Sequence, residues 1–123
     1  MTTEQKAMKI VAKYELKQGR RPHDVSKTKC GYDIKSGNRR IEVKGQKRQR
    51  AGWITIHNSI VRNLGRELAQ YYVYVVYDID RESKLKILDP DTIFKNLKIE
   101  SHFLLTARAV NEHGKNIEIK NDK

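Results

Sequence analysis

Asp33, Glu42 and Lys44 stand in one short stretch, Gly31-Tyr32-Asp33-Ile34-Lys35-Ser36-Gly37-Asn38-Arg39-Arg40-Ile41-Glu42-Val43-Lys44-Gly45. Its two ends alternate apolar and polar residues, and Gly37-Asn38 between them is a two-residue loop of the kind that joins antiparallel strands. With that loop, residues whose numbers sum to 75 face each other, so Ser36 meets Arg39, Ile34 meets Ile41 and Asp33 meets Glu42. Cross-strand Cβ atoms lie about 4.5–5.5 Å apart, a spacing at which like charges destabilise a sheet. A divalent cation offsets that repulsion. Mg²⁺ and Mn²⁺ prefer oxygen ligands and take one or two carboxylates, with substrate phosphate filling other positions. Lys44 lies two residues beyond Glu42, so the pleat returns its ammonium to the same face while Ile41 and Val43 point to the other.

The chain holds three Glu-x-Lys triplets, at Glu42/Lys44, Glu82/Lys84 and Glu118/Lys120. Glu82-Ser83-Lys84 belongs to a polar connection after an apolar run, and no aspartate on a strand precedes Glu118. Only the first has an acid in register across a turn. The charge is distributed in the same sense: 15 Lys and Arg against 5 Asp and Glu in residues 1–50, and 11 against 10 in the rest, within a net charge of +11. Positive charge gathered around the hairpin reads as a surface for a polyanion, nucleic acid first. Arg20 and Arg21 on one side, and Lys47, Arg48 and Arg50 on the other, are the candidates for phosphate oxygens. The basic run after Lys44 has no apolar face to insert into a membrane.

The order Asp, then Glu-x-Lys on the following strand, resembles the PD-(D/E)xK nuclease superfamily. The wider string Tyr14-Glu15, Gly19-Arg20, Asp24-Val25-Ser26, Gly31 to Ile34 and Ile41 to Gly45 is similar to a small Mrr-related nuclease-like domain of that superfamily, often appended to helicases and large ATPases. The resemblance covers the first half of the chain and implies a restriction-endonuclease-like αβββαβ core, a central mixed sheet flanked by helices. It further implies that Asp33 and Glu42, with the Val43 backbone carbonyl, hold Mg²⁺ or Mn²⁺, and that Lys44 orients water or stabilises charge on phosphate. An acid on the first helix sometimes joins such sites. Glu15 is therefore either a site residue or a boundary glutamate paired with a nearby lysine. Gln46 shares the parity of Glu42 and Lys44 and reaches their face, unless Gly45 ends the strand first.

The remaining elements are read from periodicity and punctuation. Thr3 to Gln18 is a helix with Ala7, Met8, Val11, Ala12, Tyr14 and Leu16 on its apolar stripe and Gly19 at its end. Asp24 precedes a Ser/Thr/Lys loop that it caps, and is set aside as a metal ligand. Trp53 to His57 is a third strand, with His57 a surface residue at its end. Asn58 or Ser59 caps a helix from Ile60 to Gln70. Tyr71 to Tyr77 is a β-prone run without alternation, the pattern of a strand covered on both faces; its tyrosines are read as packing. Leu85–Leu88 is a further strand, Asp89-Pro90 opens a short helix over Asp91–Leu97, and 102–110 with 116–120 form a closing hairpin.

At 123 residues the chain is expected to be one nuclease-like domain. The single cysteine, Cys30, excludes an internal disulfide framework and fits a reducing compartment. No apolar run approaches a membrane span, so a cytoplasmic protein is expected. The expectation is a Mg²⁺- or Mn²⁺-dependent DNA endonuclease acting on double-stranded or branched DNA. A homodimer would be needed to cut both strands, and a helicase, ATPase or restriction-modification partner is implied by the resemblance. The alternative is a non-catalytic or partner-dependent DNA-binding module that retains the fold.

Overall fold

The computed structural model describes residues 1–56, 65–99 and 103–119. Helix α1 (Thr3–Lys17) starts at a capping box in which Thr2 Oγ1 accepts from the Gln5 N–H and Gln5 Oε1 accepts from the Thr2 N–H, at 3.1 and 2.9 Å. Gly19, at φ +81°, takes the left-handed conformation that ends the helix. Strands β1 (Pro22–Asp24), β2 (Ile34–Ser36) and β3 (Arg39–Gly45) come next, then β4 (Ile54–Ile56), β5 (Tyr71–Tyr77) and β6 (Lys84–Leu88). Helix α2 (Pro90–Asn96), strands β7 (Lys98–Ile99) and β8 (Phe103–Leu105), helix α3 (Ala107–His113) and strand β9 (Lys115–Ile117) complete the described chain.

Among the described residues, six strands form one mixed sheet in the order β1-β2-β3-β5-β6-β9. The β2–β3 hairpin has the register anticipated from its turn, Ser36 opposite Arg39 and Ile34 opposite Ile41. Strand β5 runs parallel to β3 and antiparallel to β6, which makes it central, and Val73 to Tyr77 are all buried. The fold is α+β, with helices against both faces of this sheet.

Pleating gives β3 two different faces. Ile41 and Val43 pack with Ala7 and Val11 of α1 and with Tyr74, Val76, Leu85 and Ile87. The opposite core holds Val73, Val75 and Leu88 with Ile54, Ile56, Ile93, Leu105 and Val110. Glu42 and Lys44, out of phase with Ile41 and Val43, belong to this second side. Gly45 lets α1 approach the strand, since a Cβ there would lie 2.9 Å from the Ala7 Cβ and 3.0 Å from the Thr3 carbonyl.

Three expectations change. The third strand does not join the central sheet: β4 pairs with β8, and β8 with β7, in a separate three-stranded sheet. Both edges of β3 are already occupied, by β2 and β5, so β4 can bury Ile54 and Ile56 only by lying across the face. The closing hairpin is replaced by β8, α3 and β9. Thr106 caps α3 by accepting from the Ala109 N–H, and Ala109 and Val110 bury together at helical rather than strand spacing. The expected helix from Ile60 lies largely outside the described residues, as do His57, Asn58 and Ser59; its last part, Gly65–Gln70, is a 3-10 helix. Among the described residues, no helix is long and apolar enough to cross a membrane.

An ionic network ties α1 to the sheet. Glu15 is fully buried and receives Arg20 Nε and Nη2 at 2.6 and 2.7 Å and the Tyr74 hydroxyl at 2.9 Å. Arg39 Nη1 donates to the Tyr74 hydroxyl at 2.7 Å. Removing one partner of such a pair leaves a buried charge uncompensated. Arg20→Met should therefore lower the unfolding free energy by about 3 kcal/mol in urea titration. A loss below about 1 kcal/mol would mean that the pair behaves as an exposed surface bridge.

Candidate active site

The acid pair is positioned by a β-bulge. Ile34 opposes Ile41 in the ladder, and the Asp33 N–H also donates to the Ile41 carbonyl, at 2.9 Å, so two residues of one strand stand against one of the other. Asp33 is thus not the simple ladder partner of Glu42 that the turn predicts. Its carbonyl is held by the Val25 N–H at 2.8 Å, and its Oδ2 accepts from the Val43 N–H at 2.8 Å. The carboxylate takes over where the backbone ladder stops. The N–H and C=O of one strand residue point to the same edge, so the Val43 carbonyl also faces the edge where Asp33 sits.

The bulge still brings the Asp33 and Glu42 carboxyl groups within hydrogen-bonding reach. Lys44 Nζ lies 3.4 Å from Glu42 Oε2. Burial, and then the Asp33 carboxyl, push Glu42 up to about 8, against the opposing pull of Lys44. Glu42 therefore keeps its proton near neutrality. Glu15 shows the opposite outcome. Burial raises its pKa, but the hydrogen bonds from Arg20 and Tyr74 outweigh that cost and leave it below the usual carboxylate value.

Asp33, Glu42, Lys44 and the edge of Val43 come together as the sequence implied, while other candidates do not. Glu15 packs with α1 and Tyr74 on the opposite side of the sheet, so it is not part of the acid site. Its partner is Arg20, whose guanidinium fork is thereby committed to a structural pair rather than to phosphate. Strand β3 does continue through Gly45, but the side chain of Gln46 clasps the following loop: Oε1 accepts from the Gly52 N–H at 2.7 Å, and Nε2 donates to the Gly52 carbonyl at 3.4 Å. Gln46 shapes that loop instead of reaching the carboxyls. Asp24 caps its own turn, with Ser26 N–H and Oγ donating to Oδ1.

Arg21 is exposed just before β1, and Lys47, Arg48 and Arg50 are exposed on the clasped loop beyond the C-terminal end of β3. Arg48 and Arg50 line a groove with Ala51, Asn111 and the Arg108–Glu112 ion pair, closed at 2.9 Å, on the acid-bearing side of the sheet. Asn111 Nδ2 donates to the Ala51 carbonyl at 2.7 Å and joins α3 to this loop. Arg108 was not visible as a neighbour from the sequence, because no local pattern links it to Arg48.

Arg40 and Tyr71 also carried no local signal of a place at the site. Arg40 precedes Glu42 on the same face and pairs with Glu67 at 3.0 Å, with its guanidinium 5.6 Å from the centre of the Tyr32 ring. Tyr71 is opposite Arg40 on β5 and fully buried. Burial raises the pKa of its hydroxyl, and the charges of Glu42 and Asp33 raise it further.

The two carboxyls can hold one hard cation. Among the described residues no group of three or more His, Cys, Asp and Glu gathers. Two carboxyls and a carbonyl edge suit Mg²⁺, which keeps several waters and commonly binds one or two protein acids. In the metal-free protein, folded Glu42 keeps a proton that the unfolded chain has released between about pH 4.5 and 8, so stability should fall as pH rises through that window. Glu42→Gln should flatten that dependence in thermal melting with EDTA. Equal slopes for the two proteins would show that Glu42 is ionised throughout.

The sequence profile of the family described as Protein NO VEIN, C-terminal, matches residues 3–88, from α1 through the acid hairpin to the end of β6. No curated protein matches the chain. A match over more than half of the residues, spanning the elements that build the acid site, places this chain in the family of Protein NO VEIN C-terminal domains.

Proposed function

We propose that the chain is a metal-dependent DNA endonuclease with a PD-(D/E)xK-type site. The observation that carries this reading is the meeting of Asp33, Glu42 and Lys44 at a bulge in a basic half of the chain, with Glu42 pushed up to about 8. A module that only holds DNA has no use for two adjacent carboxyls beside phosphate. Asp33, Glu42 and the Val43 carbonyl would hold Mg²⁺ or Mn²⁺. When bound, such an ion lowers the pKa of a water and neutralises charge on a phosphoryl oxygen.

The chain's own residues supply the rest. The bulge and the Val43 N–H fix the Asp33 carboxylate. Lys44, on the same face, orients the attacking water or stabilises negative charge growing on a phosphate oxygen. Arg48 and Arg50 neutralise the backbone on the acid-bearing side, while Lys47, beside Asp80 and Lys6 on the α1 side, and Arg21 extend the basic surface from other edges. These contacts position the duplex without reading its sequence. One acid site per chain makes one cut, so breaking both strands calls for a homodimer.

Supercoiled plasmid incubated with Mg²⁺, Mn²⁺ or EDTA tests the reading. Nicking should require the metal and fall by at least about 100-fold in Asp33→Ala and in Glu42→Ala, while duplex binding persists or tightens because negative charge has left the phosphate path. Full cleavage by both variants would sink the assignment. No cleavage, with duplex binding unchanged by EDTA, would favour the DNA-binding module. Replacing Arg48 and Arg50 by Ala should weaken duplex binding across sequences and lower the salt slope by about 1 for each phosphate left without its cation. An unchanged slope would remove this loop from the interface.

A further inference from the structure

Tyr71 is fully buried and, among the described residues, its hydroxyl has no hydrogen-bond partner, and the buried Nε of Arg40 has none either. The two residues are register partners on adjacent parallel strands, one pleat step before Glu42. Arg40 shares the face of Glu42 and Lys44, and Tyr71 shares the phase of Val73 and Val75, which line that face. Both donors therefore stand beside the acid pair. The hydroxyl also feels the charge of both carboxyls.

Folded proteins rarely leave buried donors without acceptors. Phenylalanine would keep the Tyr71 ring packing and remove the orphan hydroxyl. Two such donors at one end of an acid pair describe a site that is complete only when an oxygen-bearing ligand enters it. We propose that Tyr71 is a positioning residue of the acid site, its hydroxyl donating to an oxygen that the ligand brings in, with Arg40 Nε as the second donor. That oxygen is either a hydration water of the divalent ion or a non-bridging phosphate oxygen of the nucleic acid. The inference rests on the metal-dependent reading of the site and adds to it a function for β5, which otherwise serves as core.

The test uses the full chain with Tyr71→Phe and Glu42→Gln beside the wild type. Melting in EDTA should show Tyr71→Phe at least as stable as the wild type, since the hydroxyl it removes bonds to no atom of the described residues. Mn²⁺ binding is then titrated without nucleic acid, and binding of a short DNA duplex is measured in Ca²⁺. A loss of about tenfold in Mn²⁺ affinity, the lower end of what outer partners of metal ligands contribute, assigns the hydroxyl to the ion's water. Unchanged Mn²⁺ affinity with a comparable loss of duplex affinity assigns it to phosphate. Mn²⁺ held through Glu42, with Tyr71→Phe identical to wild type in both assays, overturns the role of Tyr71 alone. A wild-type chain that holds no Mn²⁺ overturns this inference together with the metal-dependent reading.

Discussion

Strand β3 has to satisfy two faces and two edges at once. Its odd residues Ile41 and Val43 close the core under α1, its even residues Glu42 and Lys44 carry the candidate chemistry, and its edges are taken by β2 and β5. A slip of one residue would exchange the faces, burying the charges under α1 and turning the apolar pair toward the acid site. The hydrophobic effect on one face therefore fixes the address of the polar groups on the other. The close approach of α1 at Gly45 holds that arrangement from above, and the buried Glu15–Arg20 pair with Tyr74 holds it from the far end of the helix.

One fully buried glutamate and one partly buried glutamate show how local chemistry decides what burial means. Glu15 meets a bidentate guanidinium and a hydroxyl, so its charge is favoured despite desolvation. Glu42 meets a second carboxyl, with only a lysine at 3.4 Å in compensation, so burial and its neighbour act in the same direction. The first arrangement is satisfied within the protein and serves the fold. The second is not satisfied within the protein, because burial and the facing carboxyl both penalise its charge. Asp33 can be placed in so unfavourable a position because its backbone and side chain are anchored by Val25, Ile41 and Val43.

The family match joins these parts in one unit, since it runs from α1 to the end of β6 and includes every residue that shapes the acid pair. The segment after β6 completes the molecule in another way. Helices α2 and α3 and the second sheet cover the acid-bearing side of the central sheet through Ile93, Leu105 and Val110, and α3 brings Arg108 beside Arg48 and Arg50. The groove is thus assembled from two segments far apart in the chain, fastened by the bond from Asn111 to Ala51.

Local signals settled part of this in the sequence itself. The Gly37-Asn38 turn fixed the hairpin register, strand alternation put Glu42 and Lys44 on one face, the apolar stripe and Gly19 bounded α1, and the unbroken β-prone run marked β5 as central. Each depends on neighbours within a few residues, where pleat, turn geometry and helical pitch leave little choice. The bulge at Asp33, the commitment of Arg20 to Glu15, the Gln46 clasp, the departure of β4 from the main sheet, the helix at 107–113 and the orphan hydroxyl of Tyr71 were decided only by tertiary structure. They depend on which edges are already filled and which distant groups arrive as partners. A buried polar group takes its role from those partners, and sequence spacing alone does not name them.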